Sequence, residues 1–437
     1  MNKIKLYIKQ AWNLMKQNKL FTGIYVAGTA LAIAMTMIMA IVYYVKIAPV
    51  YPEVHRNRTV YIYKTQFSDT INHNVNLYVF SLQAVQEWFY PMEDVEAVSA
   101  ERNMWRFSRN YVYPINGSKP VEVKVKLTDT GFFRIYPFRF LEGKPFLESD
   151  MQSGLQVAVI TDDLARRLFG QETGVVGQTI DLDNEEFRIV GVVKAASVLT
   201  KQTFAHIYLP YTVSPGYDKP SDPRIPYYGS YNVTILLKDA GDIENVRRQL
   251  AEHVRKHNLT QPWMLNVFNQ PHSHIHSLFH VDASAEFSWT DVIRRYLLIF
   301  LVLLLVPALN LCGMIAGRMD VRLSEMAVRK SFGASKAGLL RQVIWENLLM
   351  TLIGGALGLI LAWTALIVFR EWLFALFDNP DLPMAGLTTE VTGEMLFAPG
   401  VFLIAMLLCT VLNLLGALVP AWLSLRKPIV QSLNDKR

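Results

Sequence analysis

Four stretches of the chain carry no charged side chain: 20–45, 296–317, 347–369 and 395–425. Each is long enough to cross a bilayer, which takes about 20 helical residues at 1.5 Å apiece. Allowing for their flanks, they predict transmembrane helices over 20–46, 295–317, 347–369 and 397–425. Pro399 and Pro420 are expected to bound the last, with its membrane core at about 400–419. The first stretch exceeds the 7 to 15 apolar residues of a signal peptide and is read as a permanent anchor. Ahead of it, Ile4, Ile8, Ala11 and Met15 fall on one helical stripe with Trp12 beside it, while Lys5, Lys9 and Lys16 lie elsewhere. Residues 1–19 therefore read as an amphipathic helix lying on the membrane surface.

Between the first two spans, 47–294, the period changes from helical to two. Val121, Val123, Val125 and Leu127 alternate with Glu122, Lys124 and Lys126, as in a half-buried strand. Further strands are expected at 59–63, 75–80, 155–160, 187–193, 206–209 and 233–237. Helical spacing marks 81–89, 162–169 and 242–257, where Ile243, Val246, Leu250 and Val254 share a face. The expected fold is thus four transmembrane α-helices with a large α+β extracytoplasmic domain inserted between helices one and two. That domain is long enough for two lobes, an inner one at about 120–200, with the five-proline stretch 210–226 as a joint or long loop.

Composition supports the class: of 437 residues 51% are apolar and 18% charged, which makes a soluble or disordered chain a poor reading. The net charge of +6 matters through its placement. Residues 1–20 hold five lysines and no acid, the loop 318–346 six basic and three acidic residues, and the tail 426–437 four basic and one acidic. The loop 370–396 holds Arg370 against five acids. Basic residues stay on the cytoplasmic side, so both termini are expected inside and the domain 47–294 outside; the lack of cysteines in that outer domain favours the periplasm of a bacterial inner membrane as its place. A nucleic-acid ligand does not fit this distribution. The two cysteines, Cys312 and Cys409, both fall in spans, so no structural disulfide is expected outside.

No GxxxxGK[ST], GxSxG or HExxH motif occurs, so no nucleotide site and no catalytic residue is read on this chain, and it is not expected to be an enzyme. The uncharged spans disfavour ion-coupled transport, which commonly places an ionisable group at midplane. His272, His274 and His276, with His280 nearby, could face one way from a strand and hold zinc or copper. A polar connector without a carboxylate or thiol partner is the preferred reading, and no metal is assigned. His253 and His257, with Val254 where a zincin has its glutamate, read as a solvated helix face. In the spans, Asn310, Asn413 and the pair Gly354/Gly358 read as helix-packing residues. With Gly28 and Ala32 they would suit a dimer interface.

The loop 318–346 is the most informative segment. Arg322 and Glu325 are three apart and Glu325 and Arg329 four apart, so a charged ladder can run along one helical face. Gly333 breaks that helix, and Ser335 is placed to cap the next, which should continue through Leu340 and Ile344 into the third span. Such an elbow, held close to two spans, could pass on a push from a cytoplasmic machine.

These residues resemble a family. Glu325-Met326-Ala327-Val328-Arg329-Lys330 and Gly333-Ala334-Ser335 are similar to the signature loop of FtsX/MacB-type permeases, as are Pro420-Ala421, Arg426, Pro428 and Leu433 to its closing pattern. Outside, Val157-Ala158-Val159-Ile160, Leu164-Ala165, Leu168-Phe169-Gly170, Val176-Gly177, Ile180 and 187–192 resemble the MacB-type periplasmic core domain. Coverage is good over 120–195 and 295–433, and positional only over 50–115 and 200–290. Ser331 and Phe332 stand where many relatives have alanine and leucine. The resemblance implies that Arg322, Glu325, Arg329, Lys330, Gly333, Ala334 and Ser335 dock onto a cytoplasmic ABC ATPase, which would carry the ATP and magnesium. MacB has its ATPase on the same chain ahead of the first span, whereas some 20 residues precede it here, so a separate ATPase subunit is expected. The resemblance further implies a dimer with a second permease copy or paralogue, mechanotransmission to the outer domain, and a periplasmic adaptor or outer-membrane partner for export. An FtsX-like regulator of a cell-wall hydrolase is the alternative.

Overall fold

The computed structural model describes residues 3–17, 19–69, 74–102, 110–113, 119–279, 287–298, 301, 328, 331–333, 335–369 and 399–426. They fall into two compact units. One gathers the residues up to Tyr44 with those from Ser288 onward; the other runs from Val45 to Phe287.

In the first unit, α1 (Lys3–Gln17) leads into α2 (Lys19–Ile47), and a Met15, Tyr25, Val343 and Met350 cluster fastens both to the long helix α9 (Lys336–Val368). The last helix, α10 (Pro399–Arg426), packs on α9. Helix α2 and residues 337–368 of α9 are each long and apolar enough to cross a membrane, and Pro399–Leu415 is a shorter apolar segment. Residues 289–298 are helical, while most of the second expected span and all of the loop 370–396 lie outside the described residues.

Two expectations are corrected here. Helix α1 does not use its whole apolar stripe on a membrane surface: Ala11 and Met15 are buried, whereas Ile8 and Trp12 are exposed with Lys16 5.6 Å over the Trp12 ring. Residues 8 and 12 lie about 60° round the helix from 11 and 15, enough to turn one stripe inward and leave the other out. Pro420 does not end α10, which continues to Arg426. A proline inside a helix forfeits one backbone hydrogen bond, a loss that neighbours offset in membrane helices.

The second unit is α+β. Its strands are β1 (Thr59–Ile62), β2 (Thr65–Asp69), β3 (Val75–Phe80), β4 (Val95–Arg102), β5 (Asn110–Tyr113), β6 (Val121–Val123), β7 (Val125–Thr128), β8 (Phe140–Gly143), β9 (Val157–Thr161), β10 (Thr179–Leu182), β11 (Glu185–Val193), β12 (Ile207–Pro210), β13 (Tyr228–Gly229), β14 (Tyr231–Leu237), β15 (Trp263–Asn266) and β16 (His272–Ser273). One path of pairing runs β15-β2-β3-β14-β4-β7-β12-β9-β11-β10-β5-β6, with β1 beside β14. Neighbours along this path are antiparallel except β7 with β12 and β9 with β11. The helices are α3 (Leu82–Ala84), which runs into a π-helical turn Val85–Phe89, α4 (Thr130–Ile135), α5 (Glu148–Gln152), α6 (Asp162–Phe169), α7 (Ile243–Thr260) and α8 (His274–Phe279).

Helix α6 shows why these elements start where they do. Thr161 Oγ1 accepts from the Leu164 amide as N-cap, and buried Asp162 in the first turn takes Lys194 Nζ at 2.7 Å. The segment 120–200, expected as an inner lobe, is not set off as a unit, because β7, β12 and β4 hydrogen-bond across its boundary. The expected strand at 121–127 is interrupted at Lys124, whose amide donates to His206 Nδ1 at 2.8 Å instead of to a strand neighbour. The stretch 210–226 is a packed loop and no joint: Tyr211 and Ile225 are buried, Tyr231 OH donates to the Tyr217 carbonyl and Ser81 Oγ to that of Pro226.

Candidate functional site

The loop 318–346, expected to dock an ATPase, is described from its second half. Gly333 has φ +90°, a left-handed conformation that costs a side-chain-bearing residue about 1–2 kcal/mol. Before it, Phe332 N donates to Val328 O at 3.2 Å; after it, Ser335 Oγ accepts from Gly338 N at 3.2 Å and caps α9. Helix α9 then runs unbroken for 33 residues through Leu340 and Ile344 into the apolar span. Arg322, Glu325, Arg329, Lys330 and Ala334 lie outside the described residues, so the charged ladder is known from its spacing alone.

Gly354 and Gly358 face α2 within the same chain. A Cβ on Gly354 would lie 2.9 Å from Thr29 Cβ, and one on Gly358 2.6 Å from the Ala30 carbonyl oxygen and 3.1 Å from Ile33 Cβ. These glycines therefore admit α2 to close approach, which makes the pair an intrachain contact where a dimer interface was also considered. On α10, Asn413 Nδ2 donates to Thr351 Oγ1 of α9 at 3.4 Å. Asn310 lies outside the described residues.

The histidines of the outer unit take separate tasks. His272 opens a two-residue strand and His274 begins a helix, so alternation does not bring the three rings to one face. His272 and His276, four apart across that junction, meet with ring centroids 4.0 Å apart, and His272 Nδ1 is 3.3 Å from Tyr63 OH. His274 turns the other way: its Nε2 donates to the Lys46 carbonyl at 2.9 Å, which leaves Nδ1 to accept from Tyr61 OH at 3.3 Å. Burial and the Arg56 charge hold its pKa below the ordinary histidine value. No group of three or more His, Cys, Asp or Glu converges as a metal site among the described residues, and His280 is outside them. The expected solvated face at His253 and His257 is a correction too. His253 stacks on Trp88, and buried His257 bonds the Trp263 carbonyl at 2.9 Å, because the aromatic cluster under α7 covers both rings.

Sequence reasoning missed one constellation. Arg56 is 4% exposed and donates through Nη1 to the carbonyls of Val45, Lys46 and Ala48 at 2.7, 3.1 and 2.7 Å. Its Nε and Nη2 both bind Glu53 Oε2 at 2.8 Å. Glu53 Oε1 in turn accepts from Gln202 N, Thr203 N and Thr203 Oγ1 at 3.1, 3.2 and 3.0 Å. The signal available was an acid and a base three apart just beyond the first span and Pro49, in a segment read only as the beginning of the outer domain.

Residues 22–253, more than half of the chain, match the family described as the MacB-like periplasmic core domain, and residues 297–429 match the FtsX-like permease C-terminal family. Among curated relatives, the pyoverdine export ATP-binding/permease protein PvdT of Pseudomonas savastanoi pv. phaseolicola is 26% identical over 240 residues, 54% of this chain and 34% of that protein. The uncharacterized ABC transporter permease YknZ of Bacillus subtilis is 23% identical over 231 residues, 52% of this chain and 53% of its own length. The macrolide export protein MacB of Escherichia coli K12 is 25% identical over 275 residues, 60% and 39% respectively. The chain thus spans between about a third and a half of the length of these relatives. Of solved structures, the periplasmic region of MacB from Actinobacillus actinomycetemcomitans aligns over 48% of this chain and 88% of its own, with 15% identity and a TM-score of 0.34. With both family segments in order along one chain, this protein belongs to the ABC transporter permeases of the MacB/FtsX family.

Proposed function

We propose that this chain is the permease subunit of a mechanotransmitting ABC system, driven by a separate ATPase subunit that holds the ATP and magnesium. In this reading two permeases pair in the bacterial inner membrane with their termini in the cytoplasm, and ATPase closure moves their periplasmic domains. The task is export across the envelope, with cargo handed to a periplasmic adaptor or outer-membrane protein. The observation that carries the reading is α9: capped by Ser335 directly after the Gly333 turn, it joins the coupling segment to a span as one rigid helix. Two relatives are named as export proteins, which favours export over regulation of a hydrolase.

Glu325→Arg tests the coupling. It reverses the charge between Arg322 and Arg329, three and four residues away in the sequence. The variant is expected to insert normally while losing its co-purifying ATPase and that partner's activity in membranes. Retention of both at the wild-type level would remove the coupling assignment. Capture of a cell-wall hydrolase or its activator, in place of an adaptor, would replace export by regulation.

A further inference from the structure

Helix α2 ends inside the outer unit, since the division between units falls after Tyr44. A helix C-terminus leaves its last carbonyls without intrahelical partners, and water usually satisfies them. Here side chains do so. Pro49 stops the helix, and Arg56 covers the carbonyls of Val45, Lys46 and Ala48 while His274, from the far end of the domain sequence, takes that of Lys46. A guanidinium suits the negative end of the helix dipole. Its charge is balanced by a carboxylate that is itself 1% exposed and fully engaged.

The bonds continue inward. The Gln202 carbonyl accepts from Lys126 Nζ at 2.6 Å, Lys126 pairs with Glu101 of β4, and Thr234 of β14 donates to Glu101 at 3.2 Å. A chain of charge-assisted hydrogen bonds thus leads from the last turn of α2 to the central strands. Buried ion pairs are costly to desolvate and contribute little net stability compared with apolar packing, but they fix geometry.

We propose that Arg56, Glu53 and His274 form a joint that locks the last turn of α2 to the outer domain, so that the domain follows the tilt and roll of the first span. These are positioning residues; they touch no cargo. The proposal rests on the permease reading for its purpose, but its test does not. In full-length protein in lipid nanodiscs, with Cys312 and Cys409 replaced by alanine, one spin-label pair joins Ile47→Cys to Glu172→Cys. A control pair, Glu172→Cys with Glu252→Cys, lies within the domain, and all three positions are exposed.

Arg56→Gln is expected to broaden the first distance distribution at least twofold and leave the control unchanged. An unchanged first distribution overturns the joint, and so does equal broadening of both, which would make the cluster a general support of the fold. If Arg56→Gln fails to insert, Arg56→Lys carries the same comparison, because it keeps the charge and loses the fork that spans carboxylate and carbonyls. No ATPase is needed, so a failed joint leaves the permease reading standing, and an Arg56 variant that still binds its ATPase separates the two.

Discussion

Asp129 caps α4 from a fully buried position, and its two oxygens accept from Ser99 Oγ, the Ala100 amide, Tyr90 OH and the Phe132 amide. Burial outweighs these donors and pushes its pKa up to about 6. His206 is pushed the other way, down to about 4, also by burial, and stays neutral with Nδ1 accepting from Lys124 N. Both groups therefore act between pH 4 and 6.5 with opposite sign. A raised carboxyl pKa means that the folded state holds the proton more tightly, so the Asp129 contribution is present at pH 4 and lost by pH 6. A depressed histidine pKa means that the His206 contribution is present above pH 6.5 and lost by pH 4. Each swing is at most about 3 kcal/mol at about 1.4 kcal/mol per pH unit. Denaturant unfolding of the outer domain in the detergent-solubilised protein reads both. Asp129→Asn should cost about 1–3 kcal/mol at pH 7, because an amide strands one pair of donors, and its gap to wild type should widen toward pH 4. His206→Gln should narrow its gap over the same range. A parallel response of the two variants would contradict the assignments. Neither residue was legible in the sequence. A lone acid before an apolar helix looks like any cap, and only the fold puts Tyr90 and Ser99 around it.

At the scale of elements, α2 and α9 meet through glycine. Gly358→Ala forces a methyl to within 2.6 Å of the Ala30 carbonyl, where backbone must give way. A loss of about 1–3 kcal/mol from overpacking is expected, read as a lower melting temperature in detergent. Gly23→Ala, with nothing within 4 Å, is the matched control and should not lower it. Equal behaviour of the two variants would show that α2 and α9 do not approach through Gly358. Elements of this kind were legible wherever one period ran undisturbed: α6 and β3 have the expected bounds, and Ser335 begins α9 where its cap was foreseen. The misreadings share a cause. At Lys124, along α1 and at His272–His276, a tertiary partner overrides local alternation: His206 takes a strand amide, α9 claims half of an apolar stripe, and the strand turns into α8 after two residues. The Arg56 joint was equally hidden, because its donors, acceptors and anchors come from positions 45–56, 202–203 and 274, and their meeting is a property of the sheet.

For the molecule as a whole, charge placement gives the most direct prediction. The segments expected inside carry fifteen basic residues against four acids, and those expected outside carry an acidic excess. In a variant without native cysteines, a membrane-impermeant maleimide should label Glu172→Cys in intact spheroplasts. It should reach Lys16→Cys only after permeabilisation. The reverse pattern would invert the topology on which the export reading depends. The family was legible from its loop and from the 157–192 strands, since both are short runs of fixed spacing that are read without knowing what packs against them. The end of α2 carries a consequence of a mechanical kind. The carbonyls of residues 45, 46 and 48 converge on Arg56 Nη1, and His274 Nε2 reaches that of residue 46 as well, so the end of the rod is held by two side chains from different parts of the fold. A beam held at one point can only be pulled; a beam built in at its end also conveys bending and twist. In the proposed joint, a rotation of the last turn of α2 about its own axis would be carried into the strands bonded to it, with no change in the length of anything between them.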